Sequence, residues 1–491
     1  MVNLKEENLQ KGGLLEASGR FLKSRPLPND LHAFITSSYY YPTSKSLGNN
    51  SIGLVFLMNF EEDPEIKRGF FEKLNKVEHH QIRILAENES DSVEVTTDYQ
   101  IVTVHRVCRM IPIFVTATLL PNMKNLYVVG DTGKTQIPFT PVSYEKKDVV
   151  VCISPLFLNE NWQMFLLAMH TYKRYGAFVN LYMSSAISTV YDLIKLYENE
   201  GYLRIQPWVQ AKFPGVPDEM LDSYAQTEFR NQAGAQTDCI LQFKESSKFV
   251  ALLDLDDILI PKLAPTYFEE FTRVMREFPA TNYMHYKKIN YQTQTALNPL
   301  NYDIDGMFRN LEYVGTIETP KMIVPTDQLH HTWIHWTTNP GHVKTVVKNN
   351  AITHFKKVEV VDHPKKSNVS APLYWNKNDE FIMKEEDLLA IQEDYERMAS
   401  RDDVADILGT VENDQFYAKI ISKCWKTGFY KRIYYDKDTP CPGTQLCTYP
   451  QRMNYMCMRH DAKIQKRERQ YPITFYFAED VTFSTANGCI P

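Results

Sequence analysis

The run Asp254-Leu-Asp256-Asp257 interrupts an apolar stretch, with Phe249-Val-Ala-Leu-Leu253 before it and Ile258-Leu-Ile260 after it. Carboxylates one residue apart at the end of a buried strand are desolvated beside a like charge unless a cation or strong hydrogen bonds compensate them. A divalent ion removes that penalty. Hard oxygen ligands suit Mg2+ or Mn2+, which leave coordination positions open for substrate phosphates. The chemistry such a site supports is departure of a nucleoside diphosphate from a sugar: the metal neutralises the leaving group while positive charge develops at the anomeric carbon. A bare Asp-x-Asp arises by chance in most chains of this size, so the apolar flanks carry the reading.

Those acids need a strand to deliver them, and the chain around them alternates strands with helices. The apolar run Val149-Val-Val-Cys-Ile153 and a turn at Ser154-Pro155 precede a helix with Trp162, Phe165, Met169 and Tyr172 on one face, ending at Gly176. Phe178–Met183 reads as the next strand. A helix carrying Val190, Leu193, Ile194 and Tyr197 follows, then a short strand at 202–208. A polar helical segment from Met220 to Gln236 leads to the strand 249–255, and a helix at 267–278 comes after it. This rhythm predicts an α/β domain, a mostly parallel sheet flanked by helices that binds its ligand at the carboxyl ends of the strands. Beyond Asn282 the pattern weakens to short strand candidates and a charged helix at 385–400.

Residues 31–147 read as a separate small β-rich domain, from β-branched runs such as 51–58, 93–104 and 111–118. The expected organisation is a polar segment 1–30, the β-rich stem or accessory domain 31–147, the α/β domain 148–410, and an aromatic, Cys-rich extension 411–491 without a clear period. Gly130-Asp-Thr-Gly-Lys-Thr135 looks like a phosphate loop, but Val128 stands where its first glycine belongs, so a hairpin turn is expected.

The acid run also comes within one residue of the Asp-x-Asp-x-Thr strand of haloacid-dehalogenase-type phosphatases, Ile258 replacing the threonine. In those enzymes the motif opens the domain, whereas three strands precede it here, and no later Gly-Asp-x-x-x-Asp motif follows.

With 491 residues, 43% hydrophobic and 23% charged, the chain has the composition of a globular protein of two or three domains. Its net charge of −6 and interspersed lysines and arginines argue against nucleic-acid binding. No apolar window of ~18 residues occurs and the segment 1–30 is polar, so neither a membrane-spanning helix nor a signal peptide is expected in these residues. Eight cysteines, Cys108, Cys152, Cys239, Cys424, Cys441, Cys447, Cys457 and Cys489, favour disulfides over a zinc site for which His460 makes a poor fourth ligand. With the N-x-[ST] acceptors at Asn49, Asn88 and Asn368 they point to a secretory lumen.

From about Asp148 to at least His354 the chain resembles glycosyltransferase family 92. The likeness rests on ordered pieces: Val150-Val-Cys152-Ile-Ser-Pro155-Leu-Phe157, Glu160-Asn-Trp162, Tyr172-Lys-Arg-Tyr-Gly176-Ala, Tyr197-Glu-Asn-Glu-Gly201, Pro207-Trp208, Gln232-Ala-Gly-Ala235-Gln-Thr-Asp238-Cys239 and Asp254-Leu-Asp256-Asp257. The resemblance implies a GT-A fold and an inverting galactosyltransferase. Such an enzyme uses UDP-galactose and Mn2+ to make β-1,4 linkages, on fucose of glycan cores in some members and on galactan in others. It further implies a Golgi enzyme that is usually a type II membrane protein.

By carry-over, Asp256 binds the metal, Asp254 touches the metal or the ribose, and Pro155 lies at the nucleotide. Ala351-Ile-Thr-His354-Phe-Lys356 resembles the family's late His-aromatic-basic segment. This makes His354 the third ligand, with His330, His331, His335 and His363 as rivals, and gives Lys356 to the diphosphate. The family often has Glu where this chain has Asp257. Inversion calls for a carboxylate base, for which Asp305, Glu318 and Asp327 are candidates, while Trp333 and Trp336 are candidates for stacking on a sugar. The expected partners are a nucleotide sugar and a glycan acceptor on glycoprotein or polysaccharide. Nucleic acid is not among them, a homodimer is allowed, and membrane association would come through an anchor outside these residues. The alternatives are an inactive glycan-binding protein on the same fold, or the phosphatase.

Overall fold

The computed structural model describes residues 31–59, 81–103, 108–218, 220–339, 341–364, 382–412, 415–431, 441–443, 447, 449–450, 452–466 and 473–489. Its central sheet runs in the order Leu203–Pro207, Ala177–Met183, Lys147–Leu156, Ser247–Leu253, Glu312–Pro325, Tyr283–Ala296, Lys344–Val361, Asp257–Leu259. The first four strands are parallel. Glu312–Pro325 then pairs antiparallel with both of its neighbours, so the sheet is mixed beyond Leu253. Lys344–Val361 lies parallel to Tyr283–Ala296.

The strand Lys147–Leu156 shows why its sequence is a continuous apolar run. Val149, Val151 and Ile153 pack into the core that holds Trp162, Phe165, Met169 and Tyr172, while Val150 and Cys152 pack with Cys239, Ile240 and Phe243 on the other face. A parallel strand covered on both sides has no solvent face to alternate with. The helix on the first face, Trp162–Arg174, is capped by Asn161, whose side chain accepts from the Met164 amide, and the chain leaves it through Gly176 at φ +80°.

The helical segment expected over 220–236 is broken. A short helix, Ser223–Gln226, is separated from Gln232–Gln242 by Phe229, Arg230 and Asn231, all at positive φ (41°, 58° and 61°). A tertiary contact holds this break, since the buried Glu228 carboxylate accepts from Thr103 Oγ1 and from Trp333 Nε1. No local period encodes such a contact.

A second sheet has the order Ser185–Ile187, Met456–Lys466, Ile473–Asn487, Leu31–Tyr41, Ser51–Asn59, Met110–Thr118, Tyr99–Ile101, with Thr140–Pro141 beside Leu31–Tyr41. The small β-rich N-terminal region is therefore present, and it draws two of its neighbouring strands from the C-terminal residues. A third sheet, Ser92–Thr97, Ile82–Glu87, Asn125–Gly130, Gly133–Ile137, shares its core. In it Gly130 pairs with Gly133, so the phosphate-loop lookalike is a two-residue hairpin turn. A buried knot ties this region to the central sheet: Ser37 Oγ, Tyr39 Oη and Tyr182 Oη all donate to Asp238.

All eight cysteines are paired, Cys108 with Cys441, Cys152 with Cys239, Cys424 with Cys447 and Cys457 with Cys489. Four disulfides fit an oxidising compartment. Among the described residues no helix is long and apolar enough to cross a membrane. Asn49 is exposed and Asn88 half-buried on turns, while Asn368 lies outside the described residues.

Candidate metal and donor site

Ser247–Leu253 delivers the acid run at its carboxyl end, and the chain turns at once into the strand Asp257–Leu259, the Asp257 amide donating to Asp254 O at 3.1 Å. That strand pairs antiparallel with Lys344–Val361, Asp257 opposite His354 and Leu259 opposite Ile352. The register brings His354 Nε2 to 3.3 Å from Asp256 Oδ2. Asp256, Asp257 and His354 each place a ligand atom within 4.8 Å of the others.

His354 Nδ1 lies 2.7 Å from Asn290 Oδ1. An amide oxygen only accepts, so the ring donates from Nδ1, and a neutral imidazole then turns its Nε2 lone pair toward the Asp256 carboxylate. Two acceptors facing each other call for a cation between them, either a proton on the ring or a metal ion. The oxygen and imidazole donors present fit a divalent cation such as Mn2+.

The other two carboxylates have cations of their own. Lys321 Nζ is 2.6 Å from Asp254 and 3.6 Å from Asp257, and Lys288 Nζ is 2.8 Å from Asp257. Burial alone raises the pKa of the Asp254 carboxyl, but Lys321 and Lys288 outweigh it and hold the group well below the usual carboxylate range. Burial works against the Lys288 ammonium, and the three aspartates reverse that and raise its pKa. Asp256 differs. Among the described residues it faces the His354 imidazole and has no lysine or arginine in ion-pair range, and its side chain keeps 45% exposure. It is the acid left for an external cation.

Gln232, first residue of its helix, donates to both Ser154 Oγ at 2.6 Å and Asp254 Oδ1 at 3.0 Å, linking the ends of two neighbouring strands. Tyr172 Oη donates to Asp257 O at 2.5 Å from beneath.

Of the residues expected from sequence, Asp256 and His354 come together, joined by Asp257, while Asp254 beside them is held by Lys321. Pro155 is half-buried beside Ser154 at the end of its strand. Lys356 is exposed where the register between Lys344–Val361 and Tyr283–Ala296 slips by one residue. Asp305 is occupied by Arg309 at 2.9 Å. The turn bearing Asp327 sits at the other end of the central sheet, because Thr326 N donates to Lys248 O at the start of Ser247–Leu253. Glu318 has its backbone opposite Lys288, and its side chain lies outside the described residues. His331 bonds Gln100 and His363 is exposed, whereas His335 bonds Pro320 O, next to Lys321. His330 is half-buried against Phe114.

Lys288, Asn290, Lys321 and Gln232 escaped the sequence reading. The signal was there for the lysines: a buried ammonium in an apolar strand needs a carboxylate.

The family model for glycosyltransferase family 92 matches residues 147–399, more than half of the chain and the whole of this site. The chain belongs to glycosyltransferase family 92. A family 92 protein of Caenorhabditis elegans is 40% identical over 467 residues, 94% of this chain and 90% of that relative. A second from the same organism is 31% identical over 482 residues, 97% of this chain and 92% of its own length. Among solved structures, Staphylococcus aureus TarS residues 1–349 aligns with 59% of this chain and 76% of its own at 12% identity and a TM-score of 0.25, a likeness that carries no functional weight. Family 92 membership makes the chain a glycosyltransferase and leaves no place for the phosphatase reading. The acid loop, both lysines, Asn290 and His354 all lie within the residues 147–399 that the family model matches.

Proposed function

We propose that this chain is a metal-dependent inverting galactosyltransferase that moves galactose from UDP-galactose to a hydroxyl of a glycan acceptor, forming a β-1,4 linkage, in the Golgi lumen. The observation that carries the metal dependence is the 3.3 Å approach of His354 Nε2 to Asp256 Oδ2, with Asp257 behind them and no lysine or arginine beside Asp256 among the described residues. Donor sugar, linkage and compartment are supported by the family resemblance, and the compartment also by four disulfides.

Asp256 and His354 would hold the ion, with Asp257 in reach, and a bound Mn2+ would supply positive charge to offset the departing diphosphate. Lys321 and Lys288 hold the Asp254 and Asp257 side chains in place, so the loop needs little rearrangement as charge builds up. Gln232 braces Asp254 against the first strand, where the nucleotide would lie.

A screen of UDP-sugars against glycan acceptors, with Mn2+ added or chelated, tests this. Galactose transfer that stops on chelation is the expected result. Preferred use of another UDP-sugar overturns the donor assignment, and undiminished transfer in chelator overturns the metal.

A further inference from the structure

An acceptor sugar needs a surface for its ring beside the acid loop, and the segment 332–336 builds one. Trp333 N donates to Trp336 O at 3.0 Å, and Thr332 Oγ1 donates to Trp333 O at 2.8 Å, closing a tight turn. Trp333 is buried at 5% exposure, and its Nε1 lies 3.0 Å from both oxygens of Glu228, so its ring is fixed. Trp336 rests on that ring, centroids 4.1 Å apart, and keeps 37% of its own surface exposed. An indole held by a buried partner loses little freedom on binding, which favours its use as a contact surface.

The turn is also tied to the site. His335 Nδ1 donates to Pro320 O at 2.9 Å, and the next residue, Lys321, bonds Asp254 at 2.6 Å. Lys321 lies one residue before Met322, which pairs with Leu252, so this contact is at the acid-loop end of the sheet. Burial, with Lys321 adding to it, pushes the His335 imidazole down to about 3, so the ring beside Trp336 is uncharged at neutral pH.

We propose that Trp336 is the platform on which the acceptor sugar stacks its C–H-rich face, with Trp333 and Glu228 as positioning residues. The assignment rests on the glycosyltransferase reading and extends it to the acceptor side. An exposed aromatic with an apolar face and a polar edge suits a hexose, which is apolar on one face and wet at its rim.

The test compares wild type with Trp336→Ala and Trp336→Phe, using a β-1,4-galactan oligosaccharide and a core-fucosylated N-glycan as probes. Trp336→Ala is expected to raise the acceptor KM by about tenfold, with Trp336→Phe recovering part of it, while UDP binding by calorimetry with Mn2+ stays unchanged. An unchanged acceptor KM overturns the platform, as does an equal loss of UDP affinity, which would put the indole on the donor side. Saturation-transfer NMR of the same glycans separates the two readings. Contact with wild type that is lost in Trp336→Ala supports the platform even where no UDP-sugar is turned over, an outcome that removes the enzyme reading alone.

Discussion

Asp257 stands opposite His354 in an antiparallel pair, and that single register sets the His354 imidazole 3.3 Å from the Asp256 carboxylate. Because side chains alternate along a strand, a slip of one residue would turn His354 to the other face of the sheet. The His-aromatic segment therefore has to be placed by the whole run of Tyr283–Ala296 pairing beside it.

Asp256→Asn removes the carboxylate charge that faces His354. Transfer is expected to fall by about a thousandfold, the equivalent of losing several kcal/mol of metal stabilisation. The side chain is half-exposed, so the thermal midpoint should hold. Transfer within a few-fold of wild type would falsify the placement of the ion.

Asn290 orients His354 from behind. Asn290→Ala is expected to weaken Mn2+ binding by about 10–100-fold, and Asn290→Asp, which keeps an acceptor at Nδ1, to retain most of the affinity. Mn2+ titrations of activity give the constants; equal affinities for all three proteins would remove Asn290 from the site.

Lys288 and Asp257 are buried at 6% and 0% side-chain exposure and 2.8 Å apart. Removing Lys288 leaves the buried Asp257 with the Lys321 ammonium at 3.6 Å in place of one at 2.8 Å, so Lys288→Met is expected to cost up to about 3–5 kcal/mol in urea unfolding. An unchanged unfolding midpoint would mean the pair does not hold the loop.

Glu228 gives the fold a pH signature. Burial pushes its carboxyl up to about 7, against the lowering hydrogen bonds from Thr103 and Trp333. A folded pKa above the unfolded one means the contribution to stability is complete below about pH 4 and is lost as pH rises through 7. Glu228→Gln, neutral throughout, is expected to be the more stable protein at pH 8, by roughly 1–3 kcal/mol, with the gap closing by about pH 4. Melting curves at the two pH values decide it, and a gap that does not change with pH rules the account out.

The Cys152–Cys239 disulfide joins the first parallel strand to the helix that starts at Gln232. Replacing both cysteines by serine is expected to cost about 2–4 kcal/mol, read by chemical denaturation in the absence of reductant. A loss well below that range would show that packing alone holds strand and helix together.

The apolar run Val149–Ile153, the helix ending at Gly176 and the acids at Asp254 and Asp256 were legible because their evidence is local: a period, a cap, a charge breaking into a buried strand. Even Gly130 to Thr135 betrayed itself as a turn, since one missing glycine spoiled the phosphate loop. Other features have no local trace. The break at Phe229–Asn231 follows from Glu228 reaching Thr103 and Trp333, and the strand Ile473–Asn487 lies along the edge that Leu31–Tyr41 offers, with Met456–Lys466 pairing to it in turn.

The same division runs through the opening pair. From the residues alone the chain declared that a cation or strong hydrogen bonds must compensate Asp254-Leu-Asp256-Asp257, because buried like charges cannot stand uncompensated. Which acid faces which cation was a tertiary matter: Lys321 took Asp254, Lys288 took Asp257, and Asp256 was left facing His354. Charge type is written in sequence, but charge pairing depends on distances of a few ångströms between strands far apart in the chain, and only the folded register sets those.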